Sequence, residues 1–191
     1  MQALHRFWQH YIAGVLDPVG DWVGLLPIRL LMAWEFCSAG TMKLRGENWF
    51  ASIQDNFPFP FNVIPVDVSW HLATWTEIIG AIGLAIGLAT RFWAFGLIVV
   101  TIVAIAGVHW PMHWSSLEEL WMGYAVRDMG FGNFRIPLLF IAMLVPLALK
   151  GAGKLSVDHY LSRLYDRGFS RDPSPRLEPP PRTSIRQSSS S

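Results

Sequence analysis

The sequence has little of two things: cysteine and charge. Its single Cys37 cannot form a disulfide within the chain, and it excludes a metal centre built from several cysteines. Charged residues make up 15% of the 191 residues, whereas typical soluble domains have about 25%. The formal net charge of +1 gives no electrostatic argument for nucleic-acid binding. Phosphate-loop, dinucleotide, zinc-protease and nucleophile-elbow motifs are also absent from the sequence, which leaves soluble-type catalysis without support.

Apolar residues dominate instead, at 52% of the chain, and residues 92–117 contain no Asp, Glu, Lys or Arg. A helix that crosses a bilayer needs about 20 predominantly apolar residues. We therefore predict an all-α membrane protein, a bundle of four transmembrane helices at residues 22–42, 69–89, 92–111 and 134–149. The last span is short, but Arg135 and Lys150 at its ends have side chains long enough to reach the headgroups.

The regions outside these spans predict the remaining organisation. Residues 1–21 lack the apolar core of a signal peptide and suggest an amphipathic segment at the interface. Residues 22–160 form the predicted membrane domain. Residues 161–191 are a basic and then Pro/Ser-rich tail, predicted to be disordered from about residue 168. The aromatic, proline-rich connection 43–68 is expected to lie over the mouth of the bundle. The Lys/Arg distribution favours both termini in the cytoplasm.

Three charged residues fall inside predicted spans: Arg29, Glu35 and Glu77. A charge near the bilayer centre costs at least about 2.5–3.5 kcal/mol on insertion scales, so each needs a partner or water. We expect Arg29 near the cytoplasmic end, compensated by Glu35 or Glu77. One interpretation is a structural ion-pair network that fixes helix register, and the other is a proton or ligand site on one of the carboxylates.

Small residues recur along one face of the second span at intervals of three and four: Ala73, Thr76, Gly80, Gly83 and Gly87. Such a face allows two helix backbones to approach closely. We predict that it packs against another span, and the first span offers a matching stripe at Ala33, Cys37, Gly40 and Thr41. A ligand channel or a homodimer interface is the alternative.

Imidazole and thioether groups are predicted at similar depths near the outer ends of the first three spans: His71, His109, His113, Met42 and Met112. These groups suit copper, so a copper site is one hypothesis. Histidine and methionine are also ordinary residues near a headgroup boundary, and this second interpretation stays open.

Several short motifs resemble those of the DoxX family. They are Arg29 followed by residues 40–44 (GTMKL), 77–80 (EIIG), 87–91 (GLATR), 108–110 (VHW) and 151–158 (GAGKLSVD). The long first loop, the His-Trp ending of the third span and the last motif are most similar to the HvfX branch, associated with maturation of copper-binding peptides. The resemblance points to five positions: Arg29, Lys43, Glu77, Arg91 and His109. Glu35 lies outside this pattern.

The resemblance implies a four-helix protein of the bacterial inner membrane, and some members are linked to quinone-coupled sulfur oxidation or redox-stress complexes. We therefore expect an accessory protein of a redox or copper-peptide maturation pathway, without independent catalytic turnover. Its expected partners are the bilayer and other membrane or periplasmic proteins of that pathway. Two alternatives remain: a quinol-interacting oxidoreductase subunit, with Glu77 and His109 hydrogen-bonding a quinone, and a membrane scaffold without a ligand.

Overall fold

The computed structural model describes Trp8 and residues 14–111, 113–121 and 133–169. These residues form helices, turns and loops, and no β-strand occurs among them. Most of the predicted interfacial segment, Met112, residues 122–132 and the predicted tail from residue 170 lie outside the described residues.

Seven α-helices follow one another in the described ranges: α1 Gly14–Val23, α2 Leu26–Arg45, α3 Val66–Ile86, α4 Thr90–Ala104, α5 Leu117–Trp121, α6 Arg135–Lys150 and α7 Val157–Phe169. A π-helical turn, Ile105–His109, extends α4. The four predicted spans correspond to α2, α3, α4 with its π turn, and α6. Two helical stretches, Leu16–Arg45 and Thr90–His109, are long and apolar enough to cross a membrane.

Four helices surround one apolar core. Helix α2 contacts α3, α3 contacts α4, α4 contacts α6, and α6 returns to α2. The core residues come from all four helices: Met32, Ala33, Phe36, Ala81, Leu84, Ala94, Leu97, Leu144 and Leu147. Large apolar side chains also cover the outside, among them Trp34, Phe95 and Leu149. An exterior this apolar is suited to lipid rather than water.

Three of the small residues of α3, Thr76, Gly80 and Gly83, pack against α4. A Cβ atom added to Gly83 would lie 2.3 Å from Cδ1 of Trp93, and one added to Gly80 would lie 3.3 Å from Leu97. The stripe expected to match them on α2 does not do so, since Gly40 packs against Glu77 and Ile78 on another face of α3 and Cys37 is exposed. Two separate faces of α3 therefore serve two neighbours, because α3 lies between α2 and α4.

A tight turn joins α3 to α4. Gly87 has a φ of +72° and ends α3, with the amide of Leu88 donating to the carbonyl of Gly83. This left-handed C-terminal geometry favours glycine. Asp158 then caps α4, since its carboxylate accepts hydrogen bonds from the backbone amides of Ala89 and Thr90 at 2.8 and 3.1 Å. The chain thus returns after α6 to the α3–α4 turn.

The connection between α2 and α3 packs on the opposite end of the bundle. Its Phe50 and Phe57 form a buried aromatic cluster with Trp70 of α3, with ring centroids 5.0–5.2 Å apart. Gly107 in the π turn provides the space, because a Cβ atom there would lie 2.3 Å from the Phe57 ring. The loop is therefore a fixed wall over this end of the four helices.

Candidate functional site

A cavity of about 520 Å³ lies beneath this loop, between α2, α3, α4 and α6. Its wall is mostly aromatic and aliphatic, with contributions from Phe36, Phe50, Phe57, Phe61, Leu72, Phe95, Val99, Val103 and Phe140. Polar side chains also line it, among them Glu35, Lys43, Ser69, Glu77 and His109. A concave, largely apolar site with a few convergent polar groups is typical of small-molecule binding.

An ion pair between two helices forms part of the cavity wall. Lys43 Nζ donates to both carboxylate oxygens of Glu77 at 2.8 Å. The side chains are only 12% and 5% exposed, respectively. Glu77 lies in the middle of α3, whereas Lys43 is close to the end of α2 and extends inward to reach it. The pair places a charged donor and a charged acceptor against an otherwise apolar space.

Ser69 lines the cavity and has a buried hydroxyl group. The residue is 5% exposed, and its Oγ atom makes no hydrogen bond to any part of the chain that the structure describes. The nearby hydroxyls of Thr74 and Thr101 differ, because they donate to the carbonyls of Trp70 and Leu97 one turn earlier. A buried hydroxyl left unpaired costs free energy, and a ligand or water in the cavity would satisfy it.

His109 is held at the cavity wall by Asn133. The Nδ1 atom of His109 hydrogen-bonds to Oδ1 of Asn133, and the backbone amide of Asn133 donates to the carbonyl of His109. An amide oxygen can only accept, so Nδ1 carries the proton in this arrangement. In the neutral ring, Nε2 is then the acceptor nitrogen. Glu35, the other ionisable residue of the wall, makes no hydrogen bond or ion pair with the described residues.

Arg29 does not pair with a carboxylate, contrary to expectation. It is 2% exposed and donates to the backbone carbonyls of Ala152 and Leu155 at 2.6 and 2.9 Å. Both carbonyls belong to the loop between α6 and α7, at the end of the bundle away from the cavity. The guanidinium group therefore holds this loop against α2 and α3. Arg91 lies at the same end, beside Gly151 of that loop.

Of the residues predicted for copper, His109 and Met42 line the cavity, whereas His71 and His113 do not. His71 and His113 are exposed, Met42 lies at the cavity rim, and Met112 is outside the described residues. Within the described ranges, no three His, Cys, Asp or Glu side chains come together in a way that could hold a metal ion. Copper binding stays a prediction without structural support from these residues.

The sequence did not single out Ser69 or Asn133 as site residues. Ser69 had a weak signal, since it is a polar residue at the start of a predicted span. Asn133 had none, because a long connection separates it from the residue that it contacts. Among the positions predicted for a ligand or an ion pair, the cavity brings together Glu35, Lys43, Glu77 and His109, while Arg29 and Arg91 occupy the opposite end.

Comparisons with known proteins give the family. The DoxX family model matches residues 24–110. A Haemophilus influenzae relative, described as an uncharacterized protein, is 41% identical over 150 residues, which cover 78% of this chain and 91% of the relative. No solved structure matches the chain. With two helices able to cross a membrane, the chain is a membrane protein and belongs to the DoxX family.

Proposed function

We propose that this protein binds a quinone or quinol in the cavity between its helices and acts as an accessory subunit of a membrane redox pathway. The observation that carries the proposal is the composition of the cavity wall. An apolar space of about 520 Å³ is bordered by the Lys43–Glu77 pair, the unpaired hydroxyl of Ser69 and the imidazole of His109. This volume lies within the range of about 300–1,000 Å³ that small-molecule sites occupy.

The polar groups are suited to both redox forms of such a ligand. A quinone has two carbonyl oxygens that accept hydrogen bonds, and Lys43 and the hydroxyl of Ser69 can donate to them. A quinol has two hydroxyl groups that also donate, and the carboxylate of Glu77 and Nε2 of His109 can accept from them. The aromatic wall complements the flat ring and the apolar tail. The residues present therefore fit a quinone, which would supply the electron-carrying chemistry when bound.

The proposal includes the arrangement of the chain in the membrane. Helices α2, α3, α4 with its π turn, and α6 are the four spans, and residues 22–160 are the membrane domain of a bacterial inner-membrane protein. Both termini are cytoplasmic, with residues 1–21 at the interface and residues 161–191, which begin within α7, as a tail. The cavity then opens towards the periplasmic side. Lys150 at the end of α6 supports this short span, since its stem is long enough to reach the headgroups.

Ligand-induced stabilisation tests the proposal. The full chain is purified in a mild detergent, and its melting temperature is measured by circular dichroism with decylubiquinone or with decylbenzene, which has a similar tail but no carbonyl groups. We expect decylubiquinone to raise the melting temperature, because a ligand at 100 times its Kd stabilises the folded state by about 2.7 kcal/mol. Decylbenzene should have little effect.

Variants locate the binding. K43M should reduce the shift produced by decylubiquinone, and R91Q, a matched loss of one cation at the other end of the bundle, should leave it unchanged. An equal shift with decylbenzene, or no shift with either compound, would show that the cavity does not recognise quinones.

A further inference from the structure

A second recess, of about 570 Å³, lies at the other end of the bundle, where α4 begins, α6 ends and α7 starts. Its wall includes two cations, Arg91 and Lys150, and the backbone of the loop between α6 and α7. Arg91 lies along this loop, since a Cβ atom added to Gly151 would be 3.3 Å from its Nε atom. None of these groups contributes to the cavity described above.

Two buried polar atoms of the recess lack partners. Thr90 is 0% exposed, and its Oγ1 atom makes no hydrogen bond within the described part of the chain. The Nε2 atom of His159 is likewise buried and without a partner among those residues. Both residues line the recess. Buried polar atoms are normally satisfied, so two orphans at one wall indicate that a ligand or water completes the site.

The charge of the recess is positive. Arg91 and Lys150 line it, and the guanidinium group of Arg29 lies behind it, bonded to the carbonyl of Ala152. The one acidic side chain in its wall, Asp158, is already engaged by the amides of Ala89 and Thr90. The remaining cations and hydroxyl therefore favour an anion that accepts several hydrogen bonds.

The surroundings of the recess connect it to the lipid-facing surface. Phe92 lies in its wall and is 67% exposed, and Leu149, next to Lys150, is also exposed. In a bilayer, the ends of α4 and α6 lie at the level of the headgroups, and these apolar side chains face the acyl chains. A phospholipid can place its phosphate among the cations while its tails follow Phe92 and Leu149.

We propose that this recess binds a phosphate group, through Arg91, Lys150 and the hydroxyl of Thr90. A phosphate carries negative charge and strong acceptor oxygens, which match the cations and the donors present. The source of the phosphate is either an anionic phospholipid or free phosphate, and the experiment separates the two.

Native mass spectrometry of the detergent-purified protein measures the retention of dioleoylphosphatidylglycerol and of dioleoylglycerol, which has the same tails without the phosphate. We expect retention of the phospholipid and not of the diacylglycerol. The R91Q/K150Q variant should retain at least about tenfold less phospholipid than the wild type, because each cation near an anionic headgroup contributes several-fold to affinity. R45Q, the loss of an exposed cation at the other end, is the control and should match the wild type.

Two further measurements complete the test. T90V keeps the shape of the side chain but removes the hydroxyl, and it should lower retention even where the double variant folds poorly. Binding of free phosphate is detected by comparing the melting temperature in sodium phosphate with that in sodium chloride at equal ionic strength. Phospholipid retention without a phosphate effect identifies the lipid as the source, and the reverse identifies free phosphate. The proposal is overturned if sodium phosphate has no effect on the melting temperature and the lipids are not distinguished. The lipids are not distinguished if the wild type and all variants retain the phospholipid equally, or if diacylglycerol is retained as well as the phospholipid.

Discussion

Lys43 and Glu77 form an ion pair that joins the end of α2 to the middle of α3, with Lys43 Nζ 2.8 Å from each carboxylate oxygen. The contact falls where Gly40 lets the two helices approach, since a Cβ atom at position 40 would be 3.1 Å from Cβ of Glu77. Close helix packing and the ion pair therefore support each other. The same two side chains form a wall of the cavity.

Removing one member of the pair should destabilise the protein more than removing both charges. K43M leaves the Glu77 carboxylate buried without its partner, and breaking a buried pair in this way typically costs about 3–5 kcal/mol. E77Q should cost less, because the long side chain of Lys43 can turn towards the headgroups. In K43M/E77Q most of the loss should be recovered. Thermal unfolding in detergent, followed by circular dichroism, measures all three.

E35Q is the control for this series, since Glu35 lines the same cavity and makes no ion pair with the described residues. It should change the melting temperature little. Strictly additive effects of K43M and E77Q would contradict the coupling that the geometry predicts.

G83A should destabilise the packing of α3 on α4. A Cβ atom at this position would lie 2.3 Å from Cδ1 and 2.6 Å from Nε1 of Trp93, so the indole has to move. Overpacking of this kind costs about 1–3 kcal/mol. G96A is the matched substitution, because its Cβ atom would meet Thr76 at an ordinary 3.5 Å. A melting temperature equally low in both variants would mean that the clash at Trp93 is not the cause.

D158N should weaken the attachment of the segment after α6 to the α3–α4 turn. The carboxylate accepts from two backbone amides at the start of α4, and the Asn side chain keeps only one acceptor oxygen, so one of the two hydrogen bonds is lost at a cost of about 0.5–1.5 kcal/mol. Limited proteolysis after residue 151 should then become faster, while D55N, which changes an exposed loop aspartate, should leave the rate unchanged. Unaltered proteolysis of D158N would refute the capping role.

Reporter fusions test the topology. With four spans and cytoplasmic termini, a reporter that is active only in the periplasm should be silent after residue 167 and active within residues 112–133. The reason is the number of membrane crossings. Four crossings return the chain after residue 167 to the cytoplasm, whereas three crossings place residues 112–133 in the periplasm. Activity of the C-terminal fusion would show that α6 does not cross the membrane. It would also contradict the proposed position of the cavity on the periplasmic side.

The four helices of the bundle could be predicted from hydrophobic runs, although their ends were predicted less well. Helix α7 was not predicted, since residues from 161 onward were assigned to a tail, whereas the helix continues to Phe169. The last span was predicted at 134–149 and the helix is Arg135–Lys150. The second was predicted to continue to residue 89, but α3 ends at Ile86 because Gly87 adopts a left-handed conformation. The turn could not be predicted from hydropathy, because Leu88 and Ala89 are apolar and hydropathy does not report backbone dihedral angles.

The site residues were easier to predict than their partners. Glu77 was singled out as a charge inside a predicted span, His109 as a histidine near the outer end of a span, and Lys43 through the family resemblance. The pairing of Lys43 with Glu77 was not expected. Arg29 was expected to meet a carboxylate, yet it binds carbonyls 123 and 126 residues away. Every residue has a backbone carbonyl, so no sequence pattern indicates which carbonyls of a distant loop an arginine will contact in the folded chain.

Photolabelling with an azidoquinone tests the central claim, that the cavity is a quinone site, most directly. The full chain in lipid vesicles is irradiated with the probe and digested, and the modified residues are identified by mass spectrometry. We expect labels on residues 69–77 of α3 and 99–109 of α4 and its π turn, and their loss when decylubiquinone is in excess. Labels confined to lipid-facing residues such as Trp34 and Phe92, and unaffected by decylubiquinone, would contradict the claim.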